Sequence, residues 1–523
     1  MSTDSQIKTR KFASVNPATG EVLGEFVCAS EEEVRAAVVR AGAAQPAWRA
    51  VGVTKRIAAL REFQRRLHER KSQIAAAITR ESGKPRAEAL VTEVLVVLDA
   101  ARFLIDNARR LLDDESVPHG NLATKVKSGR LAREPYGVIG IISPWNYPFS
   151  IPATETLAAL VAGNAVVLKP SEFTSLAALE LRSLLHAAGV PEDAFQVIAG
   201  DGATGAALVH SPIDKLVFTG SVSTGKRIAM AAAERLLPVV LELGGKDPML
   251  VLDDANVDVA SSAAVWGAFV NAGQACLSVE RCYVHRSLYE EFLAACVEKT
   301  KKLRVGHGED GQTDIGPLIH ERQLQIAEAH VEDAKARGAR ILTGGARVPE
   351  LGKNFYRPTV LADVTHQMRI MREETFGPVL PVMAFASDEE GVRLANDSEY
   401  GLAASVWTRD AQRGQRLARQ IEAGTVMVND VLSCFGISEA PHGGWKSSGI
   451  GRTHGRFGLE EMVRLKYLDV DRLPGMKKVW WYGYGERFAQ QMEGFLDLQF
   501  ARSLRARLRG AARALGVVKR RQL

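Results

Sequence analysis

The stretch Val138-Ile-Gly-Ile-Ile-Ser-Pro-Trp-Asn-Tyr-Pro148 decides the fold, because an unbroken apolar run ends in a loop stiffened by two prolines. Val138 to Ile142 reads as a strand and Ile151 to Val161 as a helix. The alternation then repeats: strand Ala165 to Leu168, helix Leu176 to Ala188, strand Phe195 to Ile198, helix Gly202 to Val209. Strand Leu216 to Thr219, helix Thr224 to Ala233 and strand Val239 to Leu243 complete it. Short aliphatic strands without polar alternation are buried on both faces, which means a parallel sheet covered by helices. We therefore expect a doubly wound α/β domain whose ligand crevice lies beyond the carboxyl ends of its strands.

Outward from this core, residues 30–112 read as mostly helical and belong beside the sheet, whereas 118–135 leaves it. A second α/β run follows from Met249 to about Asp430, with strands expected near 249–252, 339–343, 379–385, 402–408 and 425–430. A chain of 523 residues exceeds one ordinary core and agrees with several domains. With 46% apolar and 24% charged residues it has the balance of a globular protein, not a disordered one. No apolar run approaches the roughly 20 residues that span a bilayer, and the N-terminal residues lack the apolar segment of a secretory signal. Five irregularly spaced cysteines (Cys28, Cys276, Cys282, Cys296 and Cys434) argue for reduced thiols in the cytoplasm. No cysteine–histidine group has zinc spacing, so no metal is expected. The net charge of +6 conceals an asymmetry: residues 471–523 carry +8 and the remainder about −2. A nucleic-acid-binding protein spreads its charge over a folded face, so no nucleic-acid partner is expected.

Several loops hold residues suited to chemistry. In Phe269-Val-Asn-Ala-Gly-Gln-Ala-Cys-Leu-Ser278 a single thiol stands among small residues, where its thiolate could reach a bound carbonyl. Taken alone, Cys276 reads more readily as a buried small apolar residue than as a nucleophile. Leu241-Glu-Leu-Gly-Gly-Lys246 places an acid, Glu242, at the end of an apolar strand. Asn146 offers an amide donor at the crevice mouth, as an oxyanion hole requires, or else caps the next helix. Leu168-Lys-Pro-Ser-Glu172 could hold a ribose diol through Lys169 and Glu172, or be a solvated pair. Gly220 to Lys226 fits the GxxxxGK of a phosphate loop, but Arg227 stands where the magnesium-binding hydroxyl would be. That excludes the ATPase reading and leaves dinucleotide binding at a helix start. Arg372-Glu-Glu-Thr-Phe-Gly-Pro378 sets a carboxylate two residues before an aromatic ring, or is a turn before a strand.

In this order SPWNYP, LKPSE, FTGSVSTGK, LELGGK, NAGQACLS, EETFGP and GWKSSGIGR resemble the aldehyde dehydrogenase superfamily, from about Val15 to Val470. The resemblance implies that Cys276 attacks an aldehyde, that Asn146 and the Cys276 N–H hold the oxyanion, and that Glu242 activates water to release the acid. It implies NAD contacts at Trp145, Lys169, Glu172, Gly202, Gly220, Ser221, Glu374 and Phe376. Lys169 and Glu172 would serve the adenine-side ribose, Gly220 and Ser221 the pyrophosphate, Glu374 and Phe376 the nicotinamide end. Glu172 repels a 2′-phosphate, which favours NAD over NADP, and Glu242 favours hydrolysis over transfer to coenzyme A. The implied fold is a dinucleotide-binding domain (1–117 and 136–245), an α/β catalytic domain (246–445) and a small β bridging element (118–135 and 446–470), leaving a basic amphipathic tail at 471–523. The bridging element would build a homodimer or homotetramer. A coenzyme A-acylating enzyme and a cysteine hydrolase without redox chemistry are the rivals.

Within the superfamily the chain looks most like bacterial succinate-semialdehyde-type members with a C-terminal extension. That substrate does not carry over directly, because such members place an arginine where this chain has Thr154, beside Glu155. No Lys or Arg occurs between Asn146 and Lys169, although a second anchor could stand near Arg281. We expect an apolar, lipid-derived aldehyde, with Trp266, Tyr147 and Trp445 as candidate pocket aromatics. In the tail, Leu496, Phe500, Leu504, Leu508, Ala511 and Leu515 form one helical stripe opposite Arg502, Arg505, Arg509 and Arg513, in a pattern ending near Val518. After Trp480-Trp-Tyr-Gly-Tyr484, such a helix over 480–518 suits the anionic inner face of a membrane or a subunit interface.

Overall fold

The computed structural model describes residues 10–516; the expected helix end near Val518 lies outside them. Two compact units form. Residues to Leu111 with Pro135–Val463 make the larger, and Leu112–Glu134 with residues from Arg464 make the smaller.

The larger unit holds two large sheets and two short strand pairs, Lys11–Val15 with Val22–Val27 and Tyr400–Gly401 with Trp445–Lys446. In the first, the order is Gly449–Ile450, Val239–Glu242, Lys215–Thr219, Val138–Ile142, Ala165–Lys169, Phe195–Val197. All pairings are parallel except at the Gly449–Ile450 edge. The Val138–Ile142 and Ala165–Lys169 strands are buried along their whole length, as their uniform aliphatic sequences require. Strand order reverses beside Val138–Ile142, so the loops after Ile142, Lys169 and Thr219 open on one crevice. Helices Glu31–Ala50 and Ser175–Ala187 are among those covering the sheet.

The second sheet runs Arg340–Thr343, Thr359–Ala362, Val379–Phe385, Val279–His285, Asp247–Val251, Ala403–Trp407, Thr425–Val428. It is parallel apart from its first pair. Two of these strands were not expected. Val279–His285 hides because Glu280 and Arg281 interrupt its apolar run, yet both are buried with internal partners. Thr359–Ala362 is only 4 residues long.

The smaller unit carries a three-stranded sheet with Lys127–Pro135 between Val463–Asp471 and Glu115–Val117. Residues 446–462, expected in the bridging element, fall instead in the larger unit. Gly449 and Ile450 pair there with Glu242 and Leu241. The tail also differs from its expected single helix. Glu486–Phe500 and Leu504–Ala514 are separate helices, parted where Ala501 turns extended (ψ 140°) and Ser503 caps the second helix through Ala506 N at 3.1 Å. They pack glycine to glycine: a Cβ on Gly494 would stand 2.8 Å from Gly510 O, and one on Gly510 2.6 Å from Gly494 O. Leu496, Phe500, Leu504, Leu508 and Leu515 remain exposed on this hairpin.

Candidate active site

The loop bearing Cys276 is set by its backbone. After helix Val257–Phe269, three successive residues, Asn271, Ala272 and Gly273, take φ of 54°, 54° and 75°. Asn271 and Ala272 are not glycine, and holding them left-handed costs about 1–3 kcal/mol each, strain that is stored where geometry matters. Side chains hold the turn: Asn271 Nδ2 donates to Asn146 O at 2.9 Å, and Gln274 Nε2 to Asn271 O at 2.9 Å. Ile319 N donates to Gln274 Oε1 at 2.9 Å. Gly273 is required twice, since a Cβ would also lie 2.2 Å from Gly377 O. Gly245 lets the next turn in, because its Cβ would meet Cys276 O at 2.4 Å. Cys276 emerges half-buried, while the other four cysteines are buried.

Asn146 is tied to the same loop, its Nδ2 donating to Gln274 O at 3.0 Å. Its own carbonyl also accepts from Lys84 Nζ at 2.8 Å, and Lys84 pairs with Glu93 at 2.7 Å with both side chains fully buried. Glu93 in turn accepts from Phe149 N and Ser150 N at 3.1 and 2.7 Å, capping helix Ser150–Ala162.

Glu242 ends its strand in a cavity of about 20 Å³ that Cys276 also lines. Neither of its carboxylate oxygens has a hydrogen-bond partner, and His442 Nε2 stands 3.8 Å from Oε2. Burial pushes the Glu242 carboxyl well above the ordinary range, the nearby Glu155 adds to this, and Arg452 opposes it. Burial likewise pushes the Cys276 thiol well up, with Asp247, Glu242 and Glu374 adding like-charge repulsion to the thiolate.

On its other side Cys276 closes an apolar funnel of about 440 Å³. Tyr147, Ile151, Trp266, Leu432, Phe435 and Ile437 are among its walls; Asp99 is its only charged lining residue, and no Lys or Arg is present. Its rim includes Val91 and Leu95, each 57% exposed, on a π-helical stretch Leu90–Leu95 that sequence reading missed. Trp266 and Tyr147 thus line the pocket as expected. Trp445 does not: it sits in a short strand pair with Gly401. Arg281 is no anchor, because it is buried and donates to Lys246 O, Leu394 O and Ala395 O at 2.7–3.0 Å.

The sheet crevice has a volume of about 610 Å³ and is lined by Trp145, Lys169, Glu172, Gly202, Gly220 and Ser221. Lys169 Nζ lies 3.7 Å from Glu172. Ser221 caps helix Val222–Ala233, whose first N–H groups therefore start at the crevice. Ser143 Oγ is buried there without a partner, and Gly202 leaves open space. These features fit a dinucleotide. Arg227, noted in the sequence only as a broken phosphate-loop position, also lines the crevice and adds a cation. Glu374 and Phe376 lie outside its lining. Glu374 accepts from Gly245 N at 3.1 Å, its carboxyl pushed up to about 8 by burial and Glu280. Phe376 meets Trp145 edge to face at 5.4 Å. Glu280, unforeseen, binds Lys246 and accepts from Thr375 N and Phe376 N at 3.1 and 2.8 Å, fixing the loop.

Known proteins resemble this chain over most of its length. The description "Aldehyde dehydrogenase family" matches residues 3–468. A "4,4'-diapolycopene aldehyde oxidase" of Methylomonas sp is 41% identical, covering 93% of this chain and 91% of that protein. A Mycolicibacterium smegmatis protein named "Putative succinate-semialdehyde dehydrogenase [NADP(+)]" is 40% identical, covering 86% of each. The NAD+ complex structure of a Bacillus cereus aldehyde dehydrogenase superposes with a TM-score of 0.85 at 36% identity, covering 88% of this chain and 93% of that one.

The raised Cys276 thiol has a measurable consequence. With thiolate the minority form, alkylation of Cys276 by iodoacetamide should quicken about tenfold per pH unit between pH 7 and 9. Peptide mass spectrometry reads this directly, and a rate already flat at pH 7 would contradict the burial argument.

Proposed function

The chain belongs to the aldehyde dehydrogenase family, an oxidoreductase family that turns aldehydes into acids with NAD or NADP, and we propose that its substrate is a long apolar aldehyde. The observation that carries this is the apolar funnel ending on Cys276, with no cation in its lining to hold a second carboxylate. The 41% identity with the protein named "4,4'-diapolycopene aldehyde oxidase" supports this reading. Cys276 gives up its proton to water and bonds the carbonyl carbon as the thiolate. The C=O pair moves to oxygen, giving an oxyanion that Asn146 Nδ2 and the Cys276 N–H steady. Loss of hydride from that carbon then re-forms the carbonyl as a Cys276 thioester. The nicotinamide cofactor supplies the hydride acceptor when bound. Lys169, Glu172, Gly202, Gly220 and Ser221 would hold its adenine half, and Trp145, Glu374 and Phe376 would meet its nicotinamide end. Glu242 then takes a proton from the water that hydrolyses the Cys276 thioester. Glu172 favours NAD; Arg227 works against that preference.

Two surfaces of the smaller unit enter the proposal. The Val463–Asp471 strand is an edge whose Leu465, Tyr467, Leu468 and Val470 are exposed, and such an edge suits pairing with another copy in a dimer or tetramer. A one-chain mass by light scattering would remove that part. The tail hairpin joins exposed leucines to exposed Arg502, Arg505, Arg507 and Arg509, a pattern suited to an anionic membrane surface. Among the described residues no helix is long and apolar enough to cross a membrane.

Each methylene buried in the funnel is worth about 0.8 kcal/mol, so kcat/KM should rise up to about fourfold per added carbon from butanal toward decanal. Succinic semialdehyde should fall at least about a hundredfold below decanal; equal or better use of it overturns the apolar reading. Full-length chain should sediment with phosphatidylglycerol vesicles at low salt and a chain ending at Asp471 should not. Equal sedimentation of both rules out the hairpin as the membrane contact.

A further inference from the structure

Behind Glu242 the larger unit buries polar side chains that thiol chemistry leaves unused. Glu155, on helix Ser150–Ala162, is 3% exposed; its Oε1 accepts from Thr219 Oγ1 at 3.1 Å and its Oε2 has no partner. His442 and Thr453 exchange backbone hydrogen bonds of 2.8 Å, and the ring Nδ1 of His442 is buried without a partner. His454 Nδ1 is 3.1 Å from Thr453 Oγ1, and its Nε2 is also unpartnered. Orphaned buried polar atoms are uncommon, and here they cluster. His454 also adopts φ 61° and ψ 161°, a region almost confined to glycine and held elsewhere only under constraint.

Two small cavities connect these groups. The first, of about 20 Å³, touches Cys276, Glu242, Glu155, Thr219, His442 and His454. The second, of about 30 Å³, touches Glu155, Thr453, His454, Ser438 and Phe103. Glu155, Thr154, Thr453 and His454 bound both. A polar space above roughly 10–15 Å³ holds a water molecule, so each cavity has room for at least one.

We propose that Glu155, with His442 and His454 orienting water, receives the proton that Glu242 takes up during thioester hydrolysis and passes it toward the second cavity. The inference rests on the aldehyde-oxidising reading above. In the step, the water oxygen bonds to the thioester carbonyl carbon while one of its protons moves to the Glu242 carboxylate. The carbon–sulfur bond breaks, the carboxylic acid departs and sulfur leaves as the Cys276 thiolate. The proton on Glu242 then crosses the water of the first cavity to the Glu155 carboxylate, which restores Glu242 for the next turnover. Burial pushes the Glu155 carboxyl up to about 8, close to a working pH, where it can both accept and release. It pushes His442 down to about 3 and His454 down to about 4, so both rings are neutral and present one donor and one acceptor. Arg452, Glu461 and Cys276 are the other charged or titratable groups acting on Glu242.

The readout is the rate of acyl-enzyme hydrolysis relative to the first-turnover burst of NADH, with decanal and NAD and with the Cys276 adduct followed by quenched-flow mass spectrometry. Glu155→Gln should keep the burst and slow hydrolysis about ten- to a hundredfold, so that acyl-enzyme accumulates. Glu155→Asp should recover most of the loss, and His454→Gln should slow hydrolysis in the same sense. A merely structural role would lower both rates together or neither, leaving their ratio unchanged in Glu155→Gln and His454→Gln, and that result overturns the proposal. Absence of aldehyde-dependent NADH in the unaltered chain would sink the aldehyde reading itself, a separate outcome visible before any variant is made.

Discussion

Three loops meet so closely around Cys276 that only glycine fits at the contacts, and the rest of the site depends on that packing. Gly273 lies against Gly377 and Gly245 against the Cys276 carbonyl, with no room for a Cβ at either place. The left-handed turn at Asn271 and Ala272 is affordable because Asn146, Gln274 and Ile319 pin it. Behind it, Lys84 with Glu93 and Lys246 with Glu280 are buried ion pairs, one under the Asn146 loop and one under the Glu374 loop. Removing one partner of such a pair costs about 3–5 kcal/mol, because an uncompensated charge is left inside. The sulfur, the amide donor and the cofactor-side loop are therefore placed by one connected network.

Electrostatics sharpen the same point. Glu242, Glu155, Asp247 and Glu374 are carboxyls that burial pushes upward, gathered around a thiol that burial also keeps protonated. Glu155 and Glu374 reach about 8, and Glu81 and Glu88 about 7, against 4.5 for an ordinary glutamate. Because the folded pKa is the higher one, their protonated forms support the fold fully below about 4.5. That support fades as pH rises through 7 to 8, so these four groups weaken the fold on the alkaline side, where Cys276 is most readily ionised. Reactivity and stability pull in opposite directions here, as stored strain at active sites would lead one to expect.

The dinucleotide sheet was legible because its strands are uniformly aliphatic and each is followed by a helix, a pattern that only burial on both faces explains. That the loops after these strands line a crevice followed from it, whereas the contacts at Trp145, Gly202, Gly220 and Ser221 came from the resemblance of their motifs. Val279–His285 escaped notice because a strand carrying Glu280 and Arg281 looks polar until their partners, distant in sequence, are known. The tail misled in the opposite way: its leucine stripe continues across the break at Ala501, and the close approach of Gly494 and Gly510 has no local signature. Glu155 was visible only as the neighbour of a missing arginine. Its alliance with His442 and His454 depends on a loop arriving from about 290 residues away in the chain.

The central claim is that a single sulfur, held by this network, forms the covalent bond on which oxidation proceeds. The most direct measurement is aldehyde-dependent NADH formation by Cys276→Ser beside the unaltered chain at matched thermal stability. The account predicts a loss of at least about a thousandfold, the scale on which nucleophile removal acts. Oxidation at an undiminished rate would contradict it.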